Sequence, residues 1–267
     1  HDPSKSVGAT GNATYVLKIN GLNKDTPQLA IQIPPVATAY ELFWFQDGAP
    51  LPTEPLMRRG VVHPTHPIPK WTPDVITLPK TQGDSILMLR MSNRHFGQGG
   101  FFYPFVSLHE NDQLRLDFDR LAFLSIGIIG VILMMALYHF GLFAVRREDV
   151  ASLIFAAFCL LMVTQAMAYR HWVTLLVFTD LELWCFDLEL ALMSLTTFVA
   201  LPLFVSFLTK IFPEEFPRWF EKATWVIGVT LVTAYPFLGL ETNITVIYGA
   251  LSTIQGLFLL TYLVRSI

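Results

Sequence analysis

The stretch LAFLSIGIIGVILMMALYHFGLFAV, residues 121–145, decides the fold. It runs 25 residues without an Asp, Glu, Lys or Arg. As a helix rising 1.5 Å per residue it reaches about 37 Å, enough to cross a hydrocarbon core about 30 Å thick. Beyond it lie four more uncharged runs, 150–169, 190–209, 223–240 and 242–264, so the five runs are each 18 to 25 residues long. They predict five membrane spans, at about 121–145, 150–169, 187–209, 223–240 and 242–264. Pro202 and Pro236 predict a kinked or tilted helix in the third and fourth.

Composition agrees. Hydrophobic residues make up 53% of the chain, charged residues 15%, and the mean hydropathy is +0.48, which is a membrane protein's balance. The charge is unevenly spread: residues 1–118 hold ten Lys/Arg and ten Asp/Glu, whereas long uncharged runs dominate residues 119–267. Two regions with different solvents are implied, an outer domain at 1–118 and a helical domain at 119–267.

The loops set the orientation. RRED (146–149), KIFPEEFPRWFEK (210–222) and Arg265 supply six Lys/Arg, and the alternate loops supply one, Arg170. The positive-inside bias therefore predicts residues 1–120 outside the cytoplasm and the C-terminus within it, which in a bacterium means a periplasmic domain on the inner membrane. The polar start HDPSKSVGAT is read as that of a mature, already cleaved chain. Cys159 and Cys185 are too few for a disulfide framework and are read as small buried side chains.

In the outer domain, apolar and polar residues alternate in TYVLKI (14–19), QLAIQI (28–33), AYELFWF (39–45), DVITL (74–78) and SILMLRM (85–91). Turn signals at Asn20, Pro34, Gln46 and Gln82 separate them, and many short strands without a helix predict a β-sandwich. The proline-rich stretch PTEPLMRRGVVHPTHPIPKWTP (52–73) reads as a surface loop, and ENDQLRLDFDR (110–120) as a short connector from sandwich to first span.

Three local patterns carry a resemblance. Ala39, Tyr40 and Leu42 lead to a turn at Asp47-Gly48; Asn93 and His95 precede Gly99 and Gly100; and Leu137, Tyr138 and His139 stand together in the first span. With them the chain resembles the bacterial seven-transmembrane receptors with diverse intracellular signalling modules. That resemblance implies a periplasmic jelly-roll domain, likened to carbohydrate-binding modules, ahead of seven helices. It also implies a cytoplasmic output such as a histidine kinase, diguanylate cyclase, adenylate cyclase or phosphatase, here beyond Ile267.

The most distinctive polar stretch is SNRHFGQGGFFYPFVSL (92–108), where an apolar strand breaks into polar residues and a glycine pair. Asn93, Arg94, His95 and Gln98 offer hydrogen-bonding groups, and Tyr103 and Trp44 offer flat faces. A sugar presents hydroxyls at its edge and C–H groups on its face, so these six are the candidate ligand-binding residues. The competing reading makes Asn93 and His95 fasteners of a wide loop, and the aromatics core. His63 and His66 have a zinc-compatible spacing but form only half a ligand set, so no metal is expected. Asp180, Glu182, Asp187 and Glu189, near Trp172 and Trp184, are read first as solvated carboxylates of an interfacial segment. Their alternative role is coupling or docking, with Arg90, Arg94 or Arg115 as basic partners.

The uncharged runs argue against transport, and no GxSxG, HExxH or phosphate loop occurs; this segment is not expected to be an enzyme or to need a cofactor. The combined reading is the sensory portion of a bacterial inner-membrane receptor. Its sandwich binds a small molecule, a carbohydrate or a partner protein in the periplasm, and its helices, embedded in lipid, relay that state to a signalling domain in cis. Homodimerisation is left open, and no nucleic-acid partner is expected. The alternative is an envelope assembly or scaffold protein anchored by its helices.

Overall fold

The computed structural model describes residues 10–34, 36, 38–70, 74–94, 106–170, 183–237, 253 and 256. By its contacts the chain forms two units, 1–123 with 178–186, and 124–177 with 187–267.

The first unit holds seven strands: β1 (Gly11–Leu22), β2 (Leu29–Ile33), β3 (Ala39–Gln46), β4 (Met57–Arg59), β5 (Asp74–Thr77), β6 (Gly83–Asn93) and β7 (Ser107–Glu110). They make two antiparallel sheets, ordered β1-β6-β3-β4 and β5-β2-β7. The period-two alternation supplies the core. Ile31, Ile33 and Ile76 from one sheet meet Tyr40, Leu42, Trp44, Leu87, Leu89 and Met91 from the other in a single buried cluster. The turns follow glycine chemistry at Gly48, whose φ of 83° lets Ala49 N donate to Gln46 O at 3.0 Å.

Two strands lie where no alternation marks them. The stretch read as a surface loop contains β4, which pairs with β3, and a second antiparallel bridge, Val61 to Ile68. Glu41 explains why β4 docks there. It stands opposite both Arg58 and Arg90 in the register and receives Arg58 at 2.9 Å and Arg90 at 3.9 Å. The other unforeseen strand, β7, pairs with β2 and ends at Glu110, the residue before a helix begins.

That helix, α1 (Asn111–Val145), is 35 residues long, or about 52 Å. The segment read as a connector is therefore helix from Asn111 onward. Its sequence allows this, since residues 111–126 contain neither Gly nor Pro. Farther along, α1 is apolar on every side: Phe123, Leu124, Val131, Met134, Leu137 and Tyr138 are all more than half exposed, which suits hydrocarbon and not water.

After α1 come α2 (Val150–Tyr169), α3 (Leu183–Ile211) and α4 (Arg218–Ala234), which lie in the second unit apart from residues 183–186 of α3. Among the described residues three helices are long and apolar enough to cross a membrane: α1, α2 and the 187–211 part of α3. The fourth expected span is represented by α4, of 17 residues, which passes into a 3₁₀ turn, Tyr235–Phe237, at Pro236. The fifth falls outside the described residues except for Thr253 and Gly256, both helical.

Helix contacts combine aromatic packing with a few hydrogen bonds. Phe155 meets Phe207 at 4.7 Å and Phe158 meets Phe204 at 5.3 Å between ring centroids, joining α2 to α3. Gln165 Nε2 donates to Thr197 Oγ1 at 2.7 Å, and Trp225 Nε1 to Ser206 Oγ at 2.8 Å. His139 lays its ring edge-on to Phe155 at 4.6 Å, and its Nδ1 has no hydrogen-bond partner among the described residues. At Pro202, α3 can return no N–H to the Phe198 carbonyl. Gly228 of α4 lies against this very spot, so that a Cβ there would sit 2.8 Å from Phe198 O and 2.9 Å from Pro202 Cγ.

The turn between α1 and α2 is closed by Asp149, whose carboxylate accepts from Ser152 N at 3.1 Å and Ser152 Oγ at 2.6 Å. These two bonds, aided by His139 and Arg146, hold its pKa below the ordinary value of 3.8. A carboxyl with a depressed folded-state pKa stabilises fully above the unfolded value and loses that contribution as pH falls through the folded one. The protection of the Ser152 amide, the slowing of its exchange relative to an unstructured peptide at the same pH, is therefore expected to be high at neutral pH and to fall as the pH drops below about 4. In Asp149→Asn, which keeps an acceptor but no charge, this acid-induced change should vanish; an unchanged pH profile would refute the assignment.

Candidate functional site

The two ends of β6 tell different stories. At its C-terminal end, the expected binding end, the polar residues are occupied with structure. Ser92 Oγ donates to His63 O at 2.6 Å, and Arg94 donates through Nε and Nη2 to Pro64 O at 3.2 and 3.1 Å. Asn93 is 6% exposed and stands opposite Gly11. His95, Gln98 and Tyr103 lie outside the described residues. Within them, this end fastens the 63–64 segment to the sheet. His63 likewise turns to its own loop, its Nδ1 accepting from Thr65 N at 3.2 Å and His66 N at 3.1 Å, and no metal-ligand cluster occurs among the described residues.

The N-terminal end of β6, about 33 Å away along the strand, carries a cleft of about 160 Å³ between the β1–β2 and β5–β6 turns. Trp44, the one expected ligand residue at this end, lines it together with Leu22, Leu29 and Leu78. Lys24 and Lys80 stand in the same lining, which includes no Asp or Glu. Sequence alternation marks Trp44 as inward-facing, but the lysines sit in turns, where spacing carries no signal.

Both turns are held. Asn23 N donates to Thr26 Oγ1 at 2.9 Å, and Asn23 Oδ1 accepts from Asp25 N and Thr26 Oγ1, each at 3.0 Å. This is the side-chain turn chemistry of Asn and Thr. Opposite, Trp44 Nε1 donates to Pro79 O at 2.9 Å and Gln46 Nε2 to Gln82 O at 2.9 Å. Nearby, Lys18 binds Asp47 at 2.7 Å and Asp84 at 3.1 Å. Lys18 and the Gly21 amide hold the Asp84 carboxyl below its ordinary pKa.

The wall of the cleft continues into the start of α1. The Gln28 side chain donates to Leu78 O, Leu78 N to Leu29 O at 2.9 Å, and Asn111 N to Gln28 O at 2.7 Å. Thr77 Oγ1 donates to Asn111 Oδ1 at 2.7 Å, while Arg115 reaches Asn111 Oδ1 through Nε at 3.0 Å and Thr77 Oγ1 through Nη2 at 2.9 Å. The first turn of α1 is thus clasped to β2 and β5.

The basic residues offered as docking partners are all engaged inside the first unit: Arg90 with Glu41 and over the Phe43 ring at 6.0 Å, Arg94 with Pro64, and Arg115 in the clasp. Of the acidic residues, Asp180 and Glu182 lie outside the described residues. Asp187 is exposed, but Glu189 is 2% exposed. Two residues apart on α3 they are about 200° around the axis, so Glu189 is not the solvated carboxylate expected from its neighbours.

Residues 121–267, more than half of the chain, match the family model described as 7TM diverse intracellular signalling. No match is found among curated proteins or among solved structures. A β-sheet unit ahead of helices long and apolar enough to cross a membrane, with that match from residue 121 onward, makes the chain a member of the 7TM diverse intracellular signalling family of membrane receptors.

Proposed function

We propose that the chain is the sensory portion of a bacterial inner-membrane receptor, with the sandwich in the periplasm binding a ligand and the helices relaying its state to a cytoplasmic output domain in cis. The observation that carries this reading is the junction at residues 110–115. The last strand of the sandwich passes into the first spanning helix with no residue between, and Thr77, Asn111 and Arg115 bond the helix start to the sheets. A ligand acts only through a difference in affinity between two arrangements, and a clasp of three side chains on the helix that enters the membrane offers such a pair, closed and open. The alternating use of remote strands, β1-β6-β3-β4, supports the jelly-roll reading of the sandwich.

Topology reporters test the orientation on which this depends. Fusions after Arg147 and Arg218 should report cytoplasm and fusions after Asp180 and Thr242 periplasm, since Lys/Arg stand six to one in favour of the first set of loops. A cytoplasmic signal after Asp180 would sink the proposal.

A further inference from the structure

We propose that the cleft between the β1–β2 and β5–β6 turns binds a small organic anion, about one ring in size and bearing a carboxylate, and that its occupancy is felt by the first turn of α1. This deepens the receptor reading above and rests on it for the relay.

The ligand class comes from the lining. A volume of about 160 Å³ is close to that of an engineered cavity that admits benzene, so a single ring fits and an oligomer does not. Trp44, Leu22, Leu29 and Leu78 give the floor an apolar character that an inorganic anion would not use. Lys24 and Lys80 give the rim two positive charges that a neutral ring would not use. Among the described residues neither lysine is ion-paired, and no acidic side chain lines the cleft. A few convergent polar groups above an apolar floor are the ordinary make-up of a ligand pocket. The hydrogen bonds that knot Asn23 to Thr26 and Trp44 to Pro79 hold both turns before any ligand arrives, which lowers the ordering cost of binding.

The link to α1 is equally direct. Gln28 lines the cleft, bonds Leu78 across it through its side chain, and accepts the Asn111 amide on its carbonyl. A carboxylate shared by Lys24 and Lys80 draws the two turns together, and Gln28 and Leu78 are the residues through which that closure meets the Thr77–Asn111–Arg115 clasp.

The test uses the full chain in lipid nanodiscs with three probes: benzoate, benzyl alcohol as the ring without the charge, and inorganic phosphate as the charge without the ring. Benzoate should bind in the millimolar range or tighter by calorimetry, and the other two about tenfold more weakly or worse. Lys24→Gln with Lys80→Gln should weaken benzoate by about tenfold or more while leaving the melting temperature unchanged, because both side chains are exposed. Benzoate should also slow amide exchange at 111–115, and Arg115→Ala should remove that response without removing binding. Equal affinity for benzoate and benzyl alcohol, preference for phosphate, no benzoate binding at millimolar concentration, or indifference to the lysine substitutions would each overturn the site. Binding without any change in exchange at 111–115 would overturn the relay. None of these failures moves the topology reporters, so a wrong site and a wrong receptor reading remain distinguishable.

Discussion

Gly60→Ala should destabilise the sandwich by about 3 kcal/mol or more, adding the strain of a left-handed backbone to that of overpacking. Gly60 has a φ of 69°, and a Cβ on it would lie 2.0 Å from the carbonyl oxygen of Ile68 and 3.2 Å from Ala39 Cβ. Neither neighbour can give way cheaply. Ile68 O accepts the Val61 amide at 2.9 Å, and Ala39 is 0% exposed within β3. Gly48→Ala is the control, because Gly48 also has a positive φ, 83°, but would place its Cβ in open space; its loss should be about 1–2 kcal/mol, the backbone term alone. Pulse proteolysis of the reconstituted chain, scored on cleavage within residues 10–110, measures both. Equal losses would mean that the close approach at Ile68 contributes nothing.

The second large effect lies in the membrane. Gly228→Val should cost about 1–3 kcal/mol through overpacking, because α4 approaches the Phe198 carbonyl and the Pro202 ring with no room for a side chain. Small residues let helix backbones approach in lipid, and here the approach is to the carbonyl that Pro202 cannot serve. Gly130→Ala in α1, where a Cβ meets nothing within 4 Å, should be close to neutral. Thermal unfolding in nanodiscs, followed by accessibility of the buried Cys159 thiol, reads the difference; a Gly228→Val chain as stable as wild type would refute the contact.

Much of this architecture is legible in the residues. Long uncharged runs announce helices because lipid demands that every backbone group be satisfied within the segment. Strands β2, β3 and β6 announce themselves because two faces with different solvents impose a period of two. β4 and β7 do not, because MRR (57–59) is set in a proline-rich stretch and SLHE (107–110) has a single apolar residue, whereas β5, no longer than β7, shows its alternation in DVITL (74–78). Pairing reveals them instead: Glu41 between Arg58 and Arg90, and Leu29 opposite Glu110. The connector misleads for a related reason. ENDQLRLDFDR is polar enough to read as a linker, and its helical character comes from the elements it joins. The polar strand end at Asn93 stands out by its composition, yet Arg94 and Ser92 spend their hydrogen bonds on Pro64 and His63. The cleft at the opposite end depends on Lys24 and Lys80, brought together from turns 56 positions apart in the chain, a closeness only the sheet order creates.

The unbroken start of α1 limits the kind of message it can carry. From Asn111 to Ile126 there is neither glycine nor proline, and every peptide is part of one hydrogen-bonded ladder. Such a rod has no joint at which to bend and hardly any axial compliance. A displacement imposed at Asn111 therefore meets no kink-forming residue before Gly127, and within that stretch it is more cheaply expressed as a movement of the whole segment than as a bend inside it.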